Sequence, residues 1–282
     1  MFSDNMDRRL VQKSCLGILK ETIRVCEENG LKYYMCGGSL LGAVRHKGFI
    51  PWDDDIDIML PREDYDRLAV IGNQKLHDGY KLVNYTDAKK GEKPLMHHIQ
   101  IFDLNTKITR DWAEKQRDIN CWIDVFPIDG MPKGKFRQCL HYYHYLFWHL
   151  IMQISWFEEM VNLSKPNRPR YEKVIIGIIK TTHIGRNWDT VAILDRIEKI
   201  LRKYKFNNAN IVGSLHGSYR KKELIPRRWF KKSILVPFED INVVIPAEFD
   251  KELKHYYGDY MTPPKTRAEK EDHHKLIISS KE

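Results

Sequence analysis

Apolar residues recur at helical spacing from about Asp7 to Glu28, with Val11, Cys15, Ile18, Leu19, Val25 and Cys26 on one side. This predicts an amphipathic helix that stops at Gly30. The pattern then changes. "LKYYMC" (31–36) predicts a strand running into Gly37-Gly38, and "SLLGAVRH" predicts a short helix with Ser39 as its N-cap. "DIDIML" (55–60) alternates with period two and reads as a strand, and Pro61 suits the first turn of the helix "PREDYDRLAVI". Further strands are expected at "YKLVNY" (80–85), "HHIQIFDL" (97–104) and "CWIDVFPI" (121–128). The first half is therefore an α/β or α+β core. From about Lys135 to Lys203 the pattern is mainly helical, with a loop expected at "SKPNRPR" (164–170), where two prolines among polar residues cannot continue a helix.

Composition narrows the class. A hydrophobic content of 42% with 30% charged residues describes a soluble globular protein. "MFSDNMDRRL" has no apolar run after a basic start and does not read as a secretory signal. Five cysteines, an odd number without a C-x-x-C pair, argue against a disulfide framework and a structural zinc site and fit a reducing cytoplasm. The net charge of +9 favours an acidic partner: a nucleotide, a phosphopolymer, nucleic acid or an anionic membrane. No motif dedicated to reading DNA or RNA is present, so no specific nucleic-acid partner is expected. "LHYYHYLFWHLIMQISWF" (140–157) is uncharged but short and studded with His, Gln and Ser, so it reads as a core helix or an interfacial one rather than a bilayer span. "RKKELIPRRWFKK" (220–232), with seven basic residues against one glutamate, reads as a solvated face or a dock for anionic lipid.

The candidate chemistry centres on four aspartates. On a strand, Asp55 and Asp57 share a face roughly 6–7 Å apart, while Ile56 and Ile58 point into the core. Carboxylates so placed suit a hard divalent cation, Mg²⁺ or Mn²⁺, which relieves their mutual repulsion. The plain alternative is a solvated acidic turn. Asp53 and Asp54 fall in the preceding loop and rank below the other two. Upstream, Gly38 and Ser39 open a helix whose free N–H groups could hold phosphate, and Arg45, His46 and Lys47 could neutralise its charge. Asp124 lies between Ile123 and Val125, where a chance charge would be costly. It is the natural third carboxylate, as metal ligand or as base for an incoming hydroxyl. Asp129, beside Gly130, reads as a turn residue. His97 and His98 are adjacent, hence on opposite strand faces, and should not chelate a metal together.

"GGSLLGAVRHKGFIPWDDDIDIMLPREDYDRL", "WIDVFPIDGMP" and "YYGDYMTPPKTRAEKEDHH" strongly resemble the LicD family of phosphocholine transferases, which is related to the fukutin-type proteins. One departure is that Pro263-Pro264 follow Thr262 directly, where family members often have leucine. The resemblance implies an α+β fold: a nucleotidyltransferase-like mixed β-sheet core flanked by helices, with a mainly helical insertion. A single domain would comprise a core (1–135), a helical part facing acceptor or membrane (136–235) and a C-terminal segment packed back on the core (236–282). It also implies a Mg²⁺-dependent enzyme that takes phosphocholine from CDP-choline. The acceptor would be a sugar hydroxyl of a cell-surface glycan, lipopolysaccharide or teichoic-acid precursor, carried on a lipid. By position, Asp55 and Asp57 match the family's metal-binding aspartates, and Gly38 and Ser39 its phosphate-holding turn. Asp124 is assigned from strand chemistry.

A quaternary ammonium is held by aromatic faces. Trp52, Trp122 and Phe126 beside the acidic motifs, with Tyr256, Tyr257 and Tyr260 near the end, are the candidates, and His273 is a further substrate contact. The expected location is cytoplasmic, peripheral at the inner face of the membrane. Two neighbouring activities stay open: transfer of another phospho-alcohol such as ribitol phosphate, and nucleotidyl transfer to a small molecule. So does a non-catalytic module that binds anionic polymers.

Overall fold

The first helix, α1 (Phe2–Glu28), buries the predicted stripe of Val11, Cys15, Ile18, Leu19, Val25 and Cys26. It ends in a Schellman turn: Gly30 takes φ +61°, its N–H donates to Glu27 O at 3.2 Å, and Leu31 N–H donates to Cys26 O at 2.8 Å. The computed structural model describes residues 2–90, 97–112, 115–157, 169–217, 219–263 and 276–277.

The sheet that follows is mixed. Strands β1 (Tyr34–Met35), β2 (Asp57–Pro61), β3 (Tyr80–Val83), β4 (Ile99–Trp112) and β5 (Lys115–Gly130) supply its body. β2 lies parallel to β5 and antiparallel to β1, β5 is antiparallel to β4, and β3 edges β4. Short strands β6 (Ile211–Gly213) and β7 (Ile225–Pro226) continue the sheet from the end of β5. This is the expected α+β class. Helix α2 (Gly37–His46) joins β1 to β2, and α3 (Arg62–Lys75) starts directly after β2. Pro61 therefore ends the strand and precedes α3, rather than sitting inside its first turn.

Period-two alternation splits the sheet into two faces. Ile56, Ile58 and Leu60 on the β2 segment, and Cys121, Ile123 and Val125 on β5, are buried in the main core with α1. Asp57, Trp122, Asp124 and Phe126 alternate with them onto the other face. That second face carries the site.

Beyond β5 the chain is helical: α4 (Lys135–Ser155), α5 (Arg170–Thr182) and α6 (Thr190–Leu201). Most of the loop expected at 164–170 lies outside the described residues, and α5 begins at its last residue. Tyr142, Tyr145 and Met152 of α4 pack against Ile193, Leu194, Ile197 and Leu201 of α6. Helix α4 has a second apolar side that is exposed: Phe136, Leu140, Tyr143, Phe147 and Leu150, spaced four, three, four and three apart. The packed side is that of the expected core helix. The hairpin of β8 (Ser233–Phe238) and β9 (Ile241–Pro246), followed by α7 (Phe249–Tyr257), adds Phe238, Val243, Ile245 and Leu253 to the main core. In the basic segment 220–232, Phe230 is buried against Tyr34, with ring centroids 5.2 Å apart. Its aromatic centre therefore serves the core rather than an outer surface.

One ion network ties the sheet to the helices. Arg62, at the start of α3, donates to both carboxylate oxygens of Asp129 at 2.7 Å and to Glu198 of α6 at 2.8 Å. All three side chains are buried. Asp129 is thus a buried ion-pair partner at the end of β5, not a turn residue. Removing the cation would leave buried Asp129 without its ion partner and Glu198 with Arg202 alone, so Arg62→Ala should cost about 3–5 kcal/mol of stability. Urea unfolding of the variant beside the parent protein measures this, and a loss below about 1 kcal/mol would place the network among surface-like pairs.

Candidate active site

Strand register builds the centre of the site. Asp57 on β2 pairs with Asp124 on β5, and Asp124 pairs with Gln100 on β4. Three polar side chains therefore stand in a row across three adjacent strands. The strand begins at Asp57, two residues later than the alternation predicts, and Asp53 to Ile56 form an irregular lead-in. The lead-in is already held by β5, since Asp124 N–H donates to Ile56 O at 3.0 Å. Asp53, Asp55 and Asp57 lie close enough to act on one another electrostatically.

Helix α2 aims its N-terminus at these carboxylates. Its helical turns begin at Gly37, so Cys36 occupies the N-cap position and Ser39 lies inside the first turn. Ser39 Oγ instead accepts from Asp57 N–H at 2.8 Å, which locks the helix start to the strand start. Gly37 adopts φ +54°, a conformation other residues rarely take. A Cβ on Gly38 would stand only 2.9 Å from Asp53 Oδ2, and one on Gly37 would stand 3.5 Å from Asp57 Oδ2. The glycines thus let the positive end of the helix approach the acidic group, and helix ends of this kind bind anions.

The carboxylates fall into two states. Burial pushes Asp53 up to about 9, helped by the charge of Asp55 and a side-chain bond to it. Burial, with Asp55, Asp124 and Asp53 nearby, raises Asp57 well above the carboxylate range. Asp124 goes the other way: burial opposes its charge, but His98, Gln100 and Trp122 together hold it below the usual value. Its Oδ1 lies 2.9 Å from His98 Nε2 and accepts from Gln100 Nε2 at 2.8 Å, while Oδ2 accepts from Trp122 Nε1 at 3.2 Å. An oxygen-only set of Asp53, Asp55 and Asp57, partly protonated for want of a counter-charge, is chemistry that fits a hard divalent cation.

The other predicted residues are spread around this centre. Arg45, His46 and Lys47 lie at the C-terminal end of α2, with Lys47 exposed as its left-handed cap. Arg45 donates to Tyr260 O at 2.7 Å and to His46 Nε2 at 2.9 Å, and its guanidinium lies 6.0 Å from the Trp52 ring centroid. Tyr260 is buried and donates through its hydroxyl to Asp250 at 3.0 Å. His273 lies outside the described residues. Two neighbours of the candidate site stand outside the leading set. Asp53 lies in the loop before β2 as expected, and its side chain bonds to Asp55. Tyr219 donates to the Tyr257 hydroxyl at 3.1 Å, and both phenols are raised by burial and by the charge of Asp57. Their rings, with Tyr256, form a cluster whose centroids are 5.2–6.1 Å apart. Nothing in local sequence links Tyr219 to Asp57. His97 and His98 contradict the expectation for an adjacent pair: they sit at a bend before β4 rather than in a regular strand, and both turn inward.

Comparison with known proteins gives a likeness over this part of the chain. Residues 30–139, which include the helix start, the aspartates and Asp124, match the family described as LicD/FKTN/FKRP, nucleotidyltransferase domain. The chain carries a LicD family domain. It is 28% identical over 268 residues to the lipopolysaccharide cholinephosphotransferase LicD of Haemophilus influenzae, covering 93% of this chain and 94% of that protein. It is also 45% identical over 62 residues to the human ribitol 5-phosphate transferase FKRP, covering 21% of this chain and 12% of that protein. The mouse protein of the same name is 50% identical over 54 residues, or 18% of this chain and 11% of that protein. These LicD and FKRP relatives are named as transferases of phosphate-bearing groups.

The crowded carboxylates make metal-free stability depend on pH. A carboxyl whose folded pKa is raised gives stability that is complete below the unfolded value near 3.8 and drains away as pH rises toward the folded value near 9. Glu223, pushed by burial up to about 7, and Glu252, pushed likewise to about 8, act in the same direction. The melting temperature of metal-free protein should therefore fall between pH 7 and pH 9, and Asp53→Asn should flatten that slope in part. Calorimetric scans across this range check it, and a melting temperature independent of pH would contradict the crowding.

Proposed function

We propose that this chain transfers phosphocholine from CDP-choline to a sugar hydroxyl of a cell-surface glycan, such as a lipopolysaccharide or teichoic-acid precursor, releasing CMP. The observation that carries the reading is the approach of Asp53 and Asp57 to the glycine-opened end of α2, with Asp55 coupled to both and Asp124 in register beside Asp57. The Haemophilus relative, aligned along nearly the whole chain, supports choline as the head group.

Asp53, Asp55 and Asp57 would hold Mg²⁺, or Mn²⁺ in its place. Bound there, the ion would screen the donor's two phosphates and the charge that grows on departing CMP. The N–H groups at the start of α2 would take a phosphate oxygen. Asp124, kept ionised by three donors, is a weak base at neutral pH. Its part is to balance charge and orient neighbours, which suits a phosphate-transfer step that depends on positioning more than on proton removal. The cluster of Tyr219, Tyr256 and Tyr257 near Asp57 is the best-placed aromatic group for the quaternary ammonium, at about 0.5–2 kcal/mol for each ring face. Trp52 is less suited, because Arg45 already approaches its ring.

The exposed stripe on α4 bears on the acceptor. Five apolar side chains stand 49–81% exposed along a helix that has no acidic residue. Among the described residues no helix is long and apolar enough to cross a membrane. A stripe of this form on a basic protein suits shallow seating on an anionic surface, where a lipid-linked acceptor would be met.

One experiment tests the whole reading. Protein, CDP-choline, Mg²⁺ and a lipid-linked glycan in anionic vesicles are followed by phosphorus NMR. CMP should appear only when acceptor and metal are both present, and Asp57→Asn should slow it by about a hundredfold or more. Phe147→Ser should slow turnover on vesicle-borne acceptor while sparing a water-soluble one. Turnover restricted to a ribitol phosphate donor, the activity for which FKRP is named, would change the head group. Pyrophosphate release from a nucleoside triphosphate would overturn the reaction class.

A further inference from the structure

Next to Asp124 lies a second group of possible ligands, made of nitrogen rather than oxygen. Ring nitrogens of His97, His98 and His216 lie within 4.8 Å of one another. The rings of His97 and His216 stack with centroids 4.3 Å apart, and His98 is 5.6 Å from His97. His97 and His98 are buried, and the His216 side chain is fully enclosed. Both nitrogens of His97, both of His216 and Nδ1 of His98 have no hydrogen-bond partner among the described residues. Buried imidazoles ordinarily bond to a neighbour through their N–H. Five unpaired ring nitrogens in one enclosed space call for a ligand.

The surroundings point to what that ligand is. His98 presents Nε2 to Asp124 Oδ1 at 2.9 Å and leaves Nδ1 for the cluster. A carboxylate behind an imidazole is the usual way of orienting a metal-bound histidine. Glu198 Oε1 stands 3.6 Å from His216 Nε2, so a second carboxylate is close at hand. Burial holds His97 and His216 well below the ordinary imidazole value, which keeps their lone pairs available at neutral pH. His149 is nearby but has Nδ1 against the Tyr145 hydroxyl at 3.3 Å.

We propose that His97, His98 and His216 together bind one divalent transition-metal ion of the zinc class, separate from the aspartate site. Imidazole nitrogen selects Zn²⁺, Co²⁺ or Ni²⁺, whereas the all-oxygen aspartate set selects Mg²⁺ or Mn²⁺. Three histidines leave a fourth position for Glu198 or a water. Ligation at His98 Nδ1 places its remaining proton on Nε2, the form that donates to Asp124. The ion would thereby fix the hand that holds Asp124. This site stands whether or not the donor is CDP-choline.

The test uses the full chain, stripped with chelator and titrated with Co²⁺ in the presence of saturating Mg²⁺. One equivalent should bind and give visible ligand-field bands. His216→Gln and His97→Gln should each weaken binding by at least about 100-fold, the upper end of what an outer-shell change costs. Asp57→Asn, which damages the aspartate site, should leave the bands in place. Should the histidine variants fail to fold, X-ray absorption of the zinc-loaded parent protein answers the question alone, with nitrogen neighbours expected at about 2.0–2.1 Å. Substoichiometric binding, an all-oxygen shell, or bands lost in Asp57→Asn and kept in His216→Gln would each overturn the proposal.

Discussion

Like charge forced together in a buried place is the constraint from which the site follows. Asp57 and Asp124 are neighbours because β2 and β5 pair in parallel, and Asp53 and Asp55 are delivered beside them by the lead-in to β2. Two unit charges about 4 Å apart at a protein dielectric near 20 repel by about 4 kcal/mol, while each unit of pKa shift costs about 1.4 kcal/mol. Burial adds to that repulsion, and together they make uptake of a proton the outcome for Asp53 when no cation is present, with Asp57 raised in the same direction. Asp124 escapes because three donors surround it. The site is thus built as a split pair, with one carboxylate held ionised and its neighbours waiting for a counter-charge.

Much of this was legible in local pattern. The stripe of α1, the Gly30 stop, the alternation of β2 and β5 and the helix opened by Gly37-Gly38 all follow from short-range rules, and the structure has them. Non-local facts were not legible. Asp124 was the expected third carboxylate and stands in register with Asp57, but no short window reveals that Tyr219 reaches Tyr257 or that Arg62 bridges Asp129 and Glu198. Regular rules stop where the chain is irregular. Adjacent histidines point apart on a strand, but His97 and His98 occupy a bend. Asp53 lies in the loop before β2, as its sequence suggests, yet it couples to Asp55. Ser39 was read as a cap, yet its hydroxyl bonds across to β2, because Gly37 enters the helix first.

The helical half follows a different logic. An uncharged run of aromatic and aliphatic residues invites a choice between core and surface, but α4 is both. Tyr142, Tyr145 and Met152 anchor it to α6, and a second stripe turns outward. The basic segment after Arg220 shows the opposite case, since a charged stretch hides Phe230 in the core. Composition names the ingredients of such segments; packing decides which side they serve.

Proton release on metal binding tests the split-pair account most directly. Mg²⁺ titrations by calorimetry at pH 7.5, repeated in buffers of different ionisation enthalpy, count the protons displaced for each ion bound. Asp53, with its value near 9, is neutral at that pH, and Asp57 is raised in the same direction, so binding should release protons, with fewer from Asp53→Asn. Binding that releases no proton would mean the carboxylates are already ionised without a cation, and the crowding on which the site rests would not exist.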